Sequence, residues 1–174
     1  MSMNLDAKLV ETPFTLKDVF RSATADAKHI SNEPETEEEL RAVLKAAGEL
    51  ALHVLCPAID RLGALTINSW YRSRVVNEAV GGITPAHGRG SQHLYGEAAD
   101  VEFPAVGLKA AFIGVLESDI PFDQMILELR GASRWLHLSH KPSPAGQRRM
   151  AMLSPESGTY KPYSMARLNE LLKV

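Results

Sequence analysis

The sequence has only one cysteine, Cys56, among its 174 residues. A single cysteine cannot form an internal disulfide bond. Cys56 lies in the apolar run Leu-His-Val-Leu-Cys-Pro, where a buried and unreactive thiol is the usual state. We therefore expect no thiol catalysis and no structural disulfide.

The sequence also lacks a large excess of positive or negative charge. The chain has 19 Lys and Arg residues against 21 Asp and Glu residues, which leaves a formal net charge of −2. Proteins that follow a nucleic-acid backbone usually carry a broad basic surface. The composition therefore argues against a nucleic-acid partner.

The pattern of an export signal, a basic stretch followed by an apolar one, is absent from residues 1–8. No later run of residues looks long and apolar enough to span a bilayer. We therefore expect a protein that is made in the cytoplasm and does not insert into a membrane. An extracytoplasmic target would have to be reached by some route other than a cleavable signal.

The length and composition predict one compact domain. Hydrophobic residues make up 45% of the chain, which is enough for one core but too little for two. Pro and Gly residues fall between periodic segments and do not gather into a linker. We expect residues 1–174 to form a single domain with a single active site.

Helical patterns dominate the first third of the chain. A short helix is predicted over residues 16–27, and Thr36 with Glu39 forms a T-x-x-E capping box before a longer one. Apolar residues then recur every three or four positions up to Leu55, which predicts an amphipathic helix with one face in the core. Pro57 should kink or end this helix. Further helices are predicted over residues 74–80, 108–117 and 165–172.

Strand patterns dominate the middle of the chain. Strands are predicted over residues 65–70, 98–103, 123–129 and 134–139, with a hairpin turn at residues 130–133. Residues 83–96 and the segment rich in Pro, Ser and Gly after residue 139 are predicted loops. Helices followed by clustered strands favour an α+β fold, with helices packed on one face of a small, mainly antiparallel sheet.

Three residues could together bind a metal ion. The run Ser91-Gln-His93-Leu-Tyr-Gly96-Glu-Ala98-Ala-Asp100 is followed by Trp135-Leu-His137. A hydrolytic zinc site needs about three His or carboxylate ligands and one position left for water. His93 leaves a loop, Asp100 and His137 lie on predicted strands, and Gly96 allows a tight turn between the first two. Any one of these residues could be unremarkable, but together they predict a zinc site.

The same run resembles the S-x-H-x-x-G-x-A-x-D signature of the zinc D-Ala-D-Ala carboxypeptidase family, the LAS group of metallopeptidases. All five fixed positions match. Trp135-x-His137 is similar to the W-x-H element of that family, and the run from Trp70 to Ser73 is similar to its G-Y-R-S element. The resemblance covers residues 66–139 in the order that the family shows.

This resemblance implies a small α+β fold, one zinc ion, and hydrolysis of peptide bonds in bacterial peptidoglycan, often next to D-amino acids. It implies that His93, Asp100 and His137 bind the zinc, and that Arg72 anchors a substrate carboxylate or the polarised carbonyl. A planar guanidinium suits that role because stem peptides carry carboxylates. Ser91 would orient a ligand or the substrate.

The chain departs from the family pattern in two places. Trp70 stands where glycine is usual, which puts the shape of the Arg72 pocket in question. Ala132 stands where many members have a glutamate that acts as general base. We predict that Glu128 replaces it, because the hairpin should fold Glu128 back beside His137.

The sequence leaves another role for Glu128, and other residues for the base, open. Glu128 could instead be an edge carboxylate paired with Arg130 or Arg134, since surface ion pairs are common. Glu97 and Glu102 are weaker choices for the base, because residues that flank Asp100 on a strand should point away from its side.

Three functions are compatible with these residues. The chain could be an active wall peptidase, such as a phage or prophage endolysin that is released through a membrane pore. It could be a virion or tail component that carries the same domain and binds other virion proteins. It could also be a non-catalytic module, which Ala132 favours and the intact ligands oppose, because structural zinc sites usually close their fourth position. Both carboxypeptidase and endopeptidase activity fit the first two functions, which act on peptidoglycan stem peptides at the cell wall.

Overall fold

The computed structural model describes residues 4–142 and 146–172. These residues form a six-stranded sheet with the strand order β1-β2-β4-β3-β5-β6. The strands are β1 (Thr66–Ser69), β2 (Ala98–Glu102), β3 (Gln124–Arg130), β4 (Ser133–Ser139), β5 (Met150–Glu156) and β6 (Thr159–Pro162). Neighbouring strands are antiparallel, except that β3 and β5 run parallel. The predicted α+β fold with a mainly antiparallel sheet is confirmed.

The helices are α1 (Leu16–Phe20), α2 (Ala23–Lys28), α3 (Glu37–Leu50), α4 (Cys56–Leu62), α5 (Arg74–Ala79), α6 (Gly107–Leu116) and α7 (Met165–Leu171). The single helix predicted over residues 16–27 is wrong, because the chain is extended at Arg21 and Ser22 between α1 and α2. Ser22 forms a β-bridge with Ser69, and its side chain caps α2 by accepting a hydrogen bond from the Ala25 amide. These contacts hold the break in place.

Helix α3 begins as predicted, with the Thr36 hydroxyl accepting a hydrogen bond from the Glu39 amide at 3.1 Å. The helix does not end near Pro57. It passes through a π-helical turn, Ala51–Leu55, and continues as α4 to Leu62. A proline lacks an amide donor and collides with the carbonyl four residues earlier, and the wider turn before Pro57 relieves both problems.

The continuous helical run Glu37–Leu62 is 26 residues long and apolar enough to cross a membrane by length and composition. The expectation that no segment meets this criterion is therefore wrong. Half of the apolar stretch is buried within the fold, and Val43, Ala47 and Leu50 are core residues. A helix at the centre of a hydrophobic core has the same composition, so the criterion alone is weak evidence for a membrane span.

The two faces of the sheet differ in character. Alternate residues on one face pack in the same core as the helices: Ala99, Val101, Met125, Leu127, Leu136 and Leu138. The residues between them line an open cleft on the opposite face: Asp100, Glu102, Gln124, Ile126, Glu128, Trp135 and His137. Because side chains alternate along a strand, this division follows from the strand assignments.

Strands β5 and β6 occupy a segment that was predicted to be a loop, and that prediction is wrong. Pro155 lies inside β5, and a proline usually argues against a strand. Strand β5 is held by parallel pairing with the distant strand β3, which local sequence does not reveal. Residues 143–145 of the predicted loop lie outside the described residues.

Candidate metal centre

The three predicted ligands come from different elements and meet at the floor of the cleft. His93 lies in a short 3-10 turn, Gln92–Tyr95, while Asp100 and His137 face each other across β2 and β4. Their exposed fractions are 2%, 3% and 6%. The structure therefore brings together the residues that the sequence pattern selected.

Gly96 ends the turn that carries His93. Its φ angle is +72°, and a Cβ atom there would lie 2.8 Å from the Val43 carbonyl oxygen of α3. Only glycine fits both the left-handed backbone and this close approach. Gly96 thus lets the turn pack against α3 while His93 points into the cleft.

The ligand atoms form a nearly equilateral triangle. His93 Nε2 lies 3.1 Å from His137 Nδ1, which lies 3.0 Å from Asp100 Oδ1. The third side, from His93 Nε2 to Asp100 Oδ1, is 3.2 Å. Ligands about 2.0–2.1 Å from a tetrahedral zinc ion lie about 3.3 Å apart, so the triangle has the size that zinc needs. Two imidazoles and one carboxylate are also ligands that zinc accepts.

Second partners orient two of these ligands. His93 Nδ1 donates to the Trp70 carbonyl oxygen at 2.6 Å, which leaves the lone pair of Nε2 directed at the triangle. Asp100 Oδ2 accepts a hydrogen bond from the Arg72 guanidinium, which leaves Oδ1 for a metal ion. Such partners fix the tautomer and the orientation of metal ligands.

The electrostatics keep both residues in the ligand form. Burial, helped by the Arg72 charge, lowers the pKa of His93 to about 4, so the imidazole is neutral at neutral pH. Burial alone would raise the pKa of Asp100, but His93 and Arg72 hold it well below its usual range. A neutral histidine and an ionised aspartate are the forms that bind metal.

Arg72 lies in the cleft beside the ligands. Its Nε donates to Ser69 Oγ at 2.9 Å, its Nη2 donates to Asp100, and its backbone amide donates to the His93 carbonyl oxygen at 3.1 Å. The guanidinium therefore orients Asp100, and its Nη1 atom is the part left to approach a substrate. Substrate anchoring by Arg72 stays a prediction.

The Trp70 side chain, which replaces the glycine of the family pattern, does not enter the pocket of Arg72. Its side chain is fully buried, donates from Nε1 to the Gly96 carbonyl oxygen at 2.9 Å, and packs edge-on against Phe14. The indole thus belongs to the core, and Trp70 reaches the metal centre only through its backbone carbonyl.

Glu128 lines the cleft, as the strand alternation predicted. It lies opposite Trp135 in the β3–β4 hairpin, where Ile126 is opposite His137, so Glu128 and His137 are diagonal neighbours. It is 9% exposed, and its Oε2 accepts a hydrogen bond from Arg130 Nη2 at 2.6 Å. The alternative role of Glu128 as the partner of Arg130 is therefore realised, but within the cleft and not at a surface edge.

The surroundings of Glu128 raise its pKa. Burial raises its pKa, and the Asp100 charge raises it further, while His137, Arg130 and Arg72 lower it. A carboxylate with a raised pKa is a stronger base than an ordinary glutamate, which suits proton transfer.

The remaining predicted residues occupy different positions. Ser91 is half-buried and lines the cleft, and its role in substrate binding stays a prediction. Glu97 is buried with both oxygens held by Arg89 at 2.5 and 2.7 Å. The expectation for Glu102 is wrong: it is two residues from Asp100, shares its face and lines the cleft, where it accepts a hydrogen bond from Asn68.

Sequence reasoning missed the contacts that support the ligands. The role of the Trp70 carbonyl oxygen leaves no signal in the sequence, because every residue has a backbone carbonyl whatever its side chain. Ser69 lies opposite Asp100 in the β1–β2 pairing and accepts from Arg72, but it stands just before the recognised motif. The two-residue strand period places Glu102 on the same face as Asp100, so the sequence alone was enough to predict its position in the cleft.

The cleft has a volume of about 1310 Å³ and is lined by both basic and acidic side chains. The basic residues that line it are Arg21, Arg72, Arg89, Arg130, Lys141 and Arg148. Several pair with acids, including Arg148 and Lys141 with the fully buried Asp123. These pairs hold the guanidinium and ammonium groups in fixed positions around the metal centre.

A family model described as Peptidase M15 matches residues 14–139. That segment contains His93, Asp100, His137, Arg72 and Glu128. No curated protein matches the chain.

Proposed function

The chain belongs to the peptidase M15 family, and on that premise we propose that it is a zinc-dependent enzyme that hydrolyses peptide bonds in bacterial peptidoglycan. The observation that carries the proposal is the buried cluster of His93, Asp100 and His137, whose ligand atoms all lie within 4.8 Å of one another. The cluster lies at the floor of an open cleft, which leaves room for water and substrate.

Each residue of the centre has a distinct part in this proposal. Zinc, when bound, supplies a Lewis acid that polarises the scissile carbonyl and the attacking water. His93, Asp100 and His137 would hold the ion, and Arg72 keeps Asp100 in position. Glu128 would accept the proton of the attacking water and return it to the leaving amine.

The shape and charge of the cleft support a peptide that carries carboxylates. An open groove across a sheet can take an extended chain, whereas a closed pocket would take only a terminal residue. Stem peptides of peptidoglycan carry several carboxylates, and guanidinium groups bind carboxylates well. The guanidinium of Arg72, which lines the cleft beside Asp100, therefore suits this substrate class.

Peptidoglycan lies outside the cytoplasmic membrane, so this function also requires delivery. We propose that the protein acts at the cell wall either after release from the cell, as a phage endolysin does, or as part of a virion. Purified phage particles that contain the protein would favour the virion, together with virion or tail proteins as partners.

Digestion of purified peptidoglycan, followed by mass analysis of the fragments, tests the proposed function. We expect new amino groups that appear with the zinc-loaded protein, disappear with a chelator and return when zinc is added back. Release of a single terminal residue would identify a carboxypeptidase, and larger paired fragments would identify an endopeptidase. A zinc-loaded protein that releases no amine from any wall preparation would contradict the proposal and favour a non-catalytic module.

A further inference from the structure

The β5–β6 hairpin forms one wall of the cleft that holds the metal centre. Met150, Met152, Ser157, Gly158 and Tyr160 line the cleft from this hairpin. The family-model match ends at residue 139, so the wall lies outside the matched segment. Whatever the hairpin contributes is therefore a property of this chain's own C-terminal region.

Strand β5 places the hairpin beside the proposed base. The parallel register sets Ser154 opposite Glu128, and Arg130 Nη1 donates to Ser154 Oγ at 3.2 Å. Tyr160 lies on the next strand, β6. Its neighbours Thr159 and Lys161 are paired with Glu156 and Leu153 of β5. Tyr160 and Glu128 are thus two strands apart across β5, which is about 10 Å between their backbones.

The Tyr160 side chain is available to a ligand. It is 41% exposed and lines the cleft. The hydrogen bonds found among residues 4–142 and 146–172 engage the hydroxyl groups of Tyr71, Tyr95 and Tyr163, but not that of Tyr160. Its ring supplies apolar area and its hydroxyl supplies a polar atom, a combination that is common in binding sites.

The charges around Tyr160 indicate what its hydroxyl can bind. Burial and then the Glu128 carboxylate raise its pKa, and Asp100 acts in the same direction. The hydroxyl therefore stays protonated and can donate. Arg130 and Arg72 act in the opposite direction, so charges of both signs surround this hydroxyl. A neutral peptide carbonyl is an acceptor that the hydroxyl can meet without adding a charge among them.

We propose that Tyr160 contacts the substrate: its hydroxyl donates a hydrogen bond to a peptide carbonyl of the bound stem peptide, and its ring packs against the residues next to the bond that is cut. This inference rests on the proposed function, because it takes a stem peptide as the ligand. It makes the β5–β6 hairpin a determinant of substrate selection.

The test compares Tyr160→Phe and Tyr160→Ala with the parent on a synthetic stem peptide. Removal of the hydroxyl alone should lower kcat/KM by about three- to tenfold, chiefly by raising KM, because one hydrogen bond is lost. Removal of the ring should lower kcat/KM further, by about ten- to a hundredfold. Zinc content should stay at the parent value in both variants.

A binding measurement provides a readout that does not depend on turnover. In a Glu128→Gln background, Tyr160→Phe should raise the Kd of the stem peptide, measured by calorimetry, by the same three- to tenfold. Tyr163→Phe is the matched control: Tyr163 lies in the same tail, but its ring packs on Phe112 and its hydroxyl contacts the Met165 sulfur at 3.9 Å. We expect no change in that variant.

The outcomes separate this inference from the proposed function. Parent values of kcat/KM and Kd in Tyr160→Phe would overturn the role of the hydroxyl and leave the proposed function intact. A parent protein that binds the stem peptide through Tyr160 but never cuts it would overturn the function and leave the contact intact. A parent protein that neither binds nor cuts the stem peptide would overturn both.

Discussion

Replacement of Glu128 by glutamine would remove the basic oxygen of the carboxylate and keep the size and polarity of the side chain. Glu128 is buried in the cleft, diagonal to the ligand His137. A positioned acid–base group contributes about 10²- to 10⁴-fold to a rate, or about 3 to 5 kcal/mol of transition-state stabilisation. We expect turnover to fall by that factor while the zinc content stays unchanged.

The stability of the Glu128→Gln variant should separate folding from catalysis. Burial raises the pKa of Glu128, so the folded metal-free protein holds this proton more tightly than the unfolded chain does. Its contribution to stability therefore declines as the pH rises above the ordinary value of 4.5. Glutamine has no charge to bury, so the variant should gain stability relative to the parent as the pH rises above 4.5. Arg130 loses a partner but keeps its hydrogen bond to the Leu129 carbonyl oxygen.

The assay is the initial rate of amine release from peptidoglycan at saturating zinc, with metal analysis and denaturant unfolding on the same samples. Glu102→Gln is the matched control, because Glu102 is a second carboxylate on the face of Asp100 but is exposed and bound to Asn68. Its rate should stay near that of the parent. Near-parent turnover in Glu128→Gln would refute our assignment, and a collapse confined to Glu102→Gln would transfer the role of base to that residue.

Three further predictions concern the metal centre. Asp100→Ala and His137→Ala should each lose bound zinc, whereas the exposed His53→Ala should keep it, and full zinc in the first two would contradict the ligand assignment. Arg72→Ala should keep zinc but lower kcat/KM. Arg72→Lys should restore little of the lost kcat/KM, because lysine lacks the planar guanidinium. Unchanged kinetics in Arg72→Ala would argue against substrate anchoring by Arg72. The metal-free protein should lose stability as the pH falls from about 6.5 to about 4, because over that range His93 gains a proton in the unfolded chain but stays neutral in the folded one. A free energy of unfolding that stays constant over that range would contradict the buried neutral state of His93.

The ligands could be predicted because their spacing matches the family signature and because two local rules support it. The spacing from His93 to Asp100 needs one tight turn, and Gly96 allows it. Strand alternation then fixes which face carries Asp100 and His137. The same alternation placed Glu128 in the cleft and puts Arg130 on the same face, where the two side chains form an ion pair.

The parts that could not be predicted depend on distant contacts. Strand β5 is stabilised by parallel pairing with β3, and its own residues, including Pro155, argue for a loop. The break between α1 and α2 depends on the bridge from Ser22 to Ser69. Because Tyr160 reaches the cleft only through the β5–β6 hairpin, its place in the cleft was likewise hidden from the sequence pattern.

Zinc titration of the metal-free protein tests the central claim most directly. Zinc would be added in steps to the chelator-treated chain, and both bound zinc and amine release from peptidoglycan would be measured at each step. We predict that the two rise together and level off at one zinc per chain, and that His137→Ala gives neither signal. Peptidoglycan cleavage that does not depend on zinc, or one bound zinc per chain with no cleavage, would contradict the account.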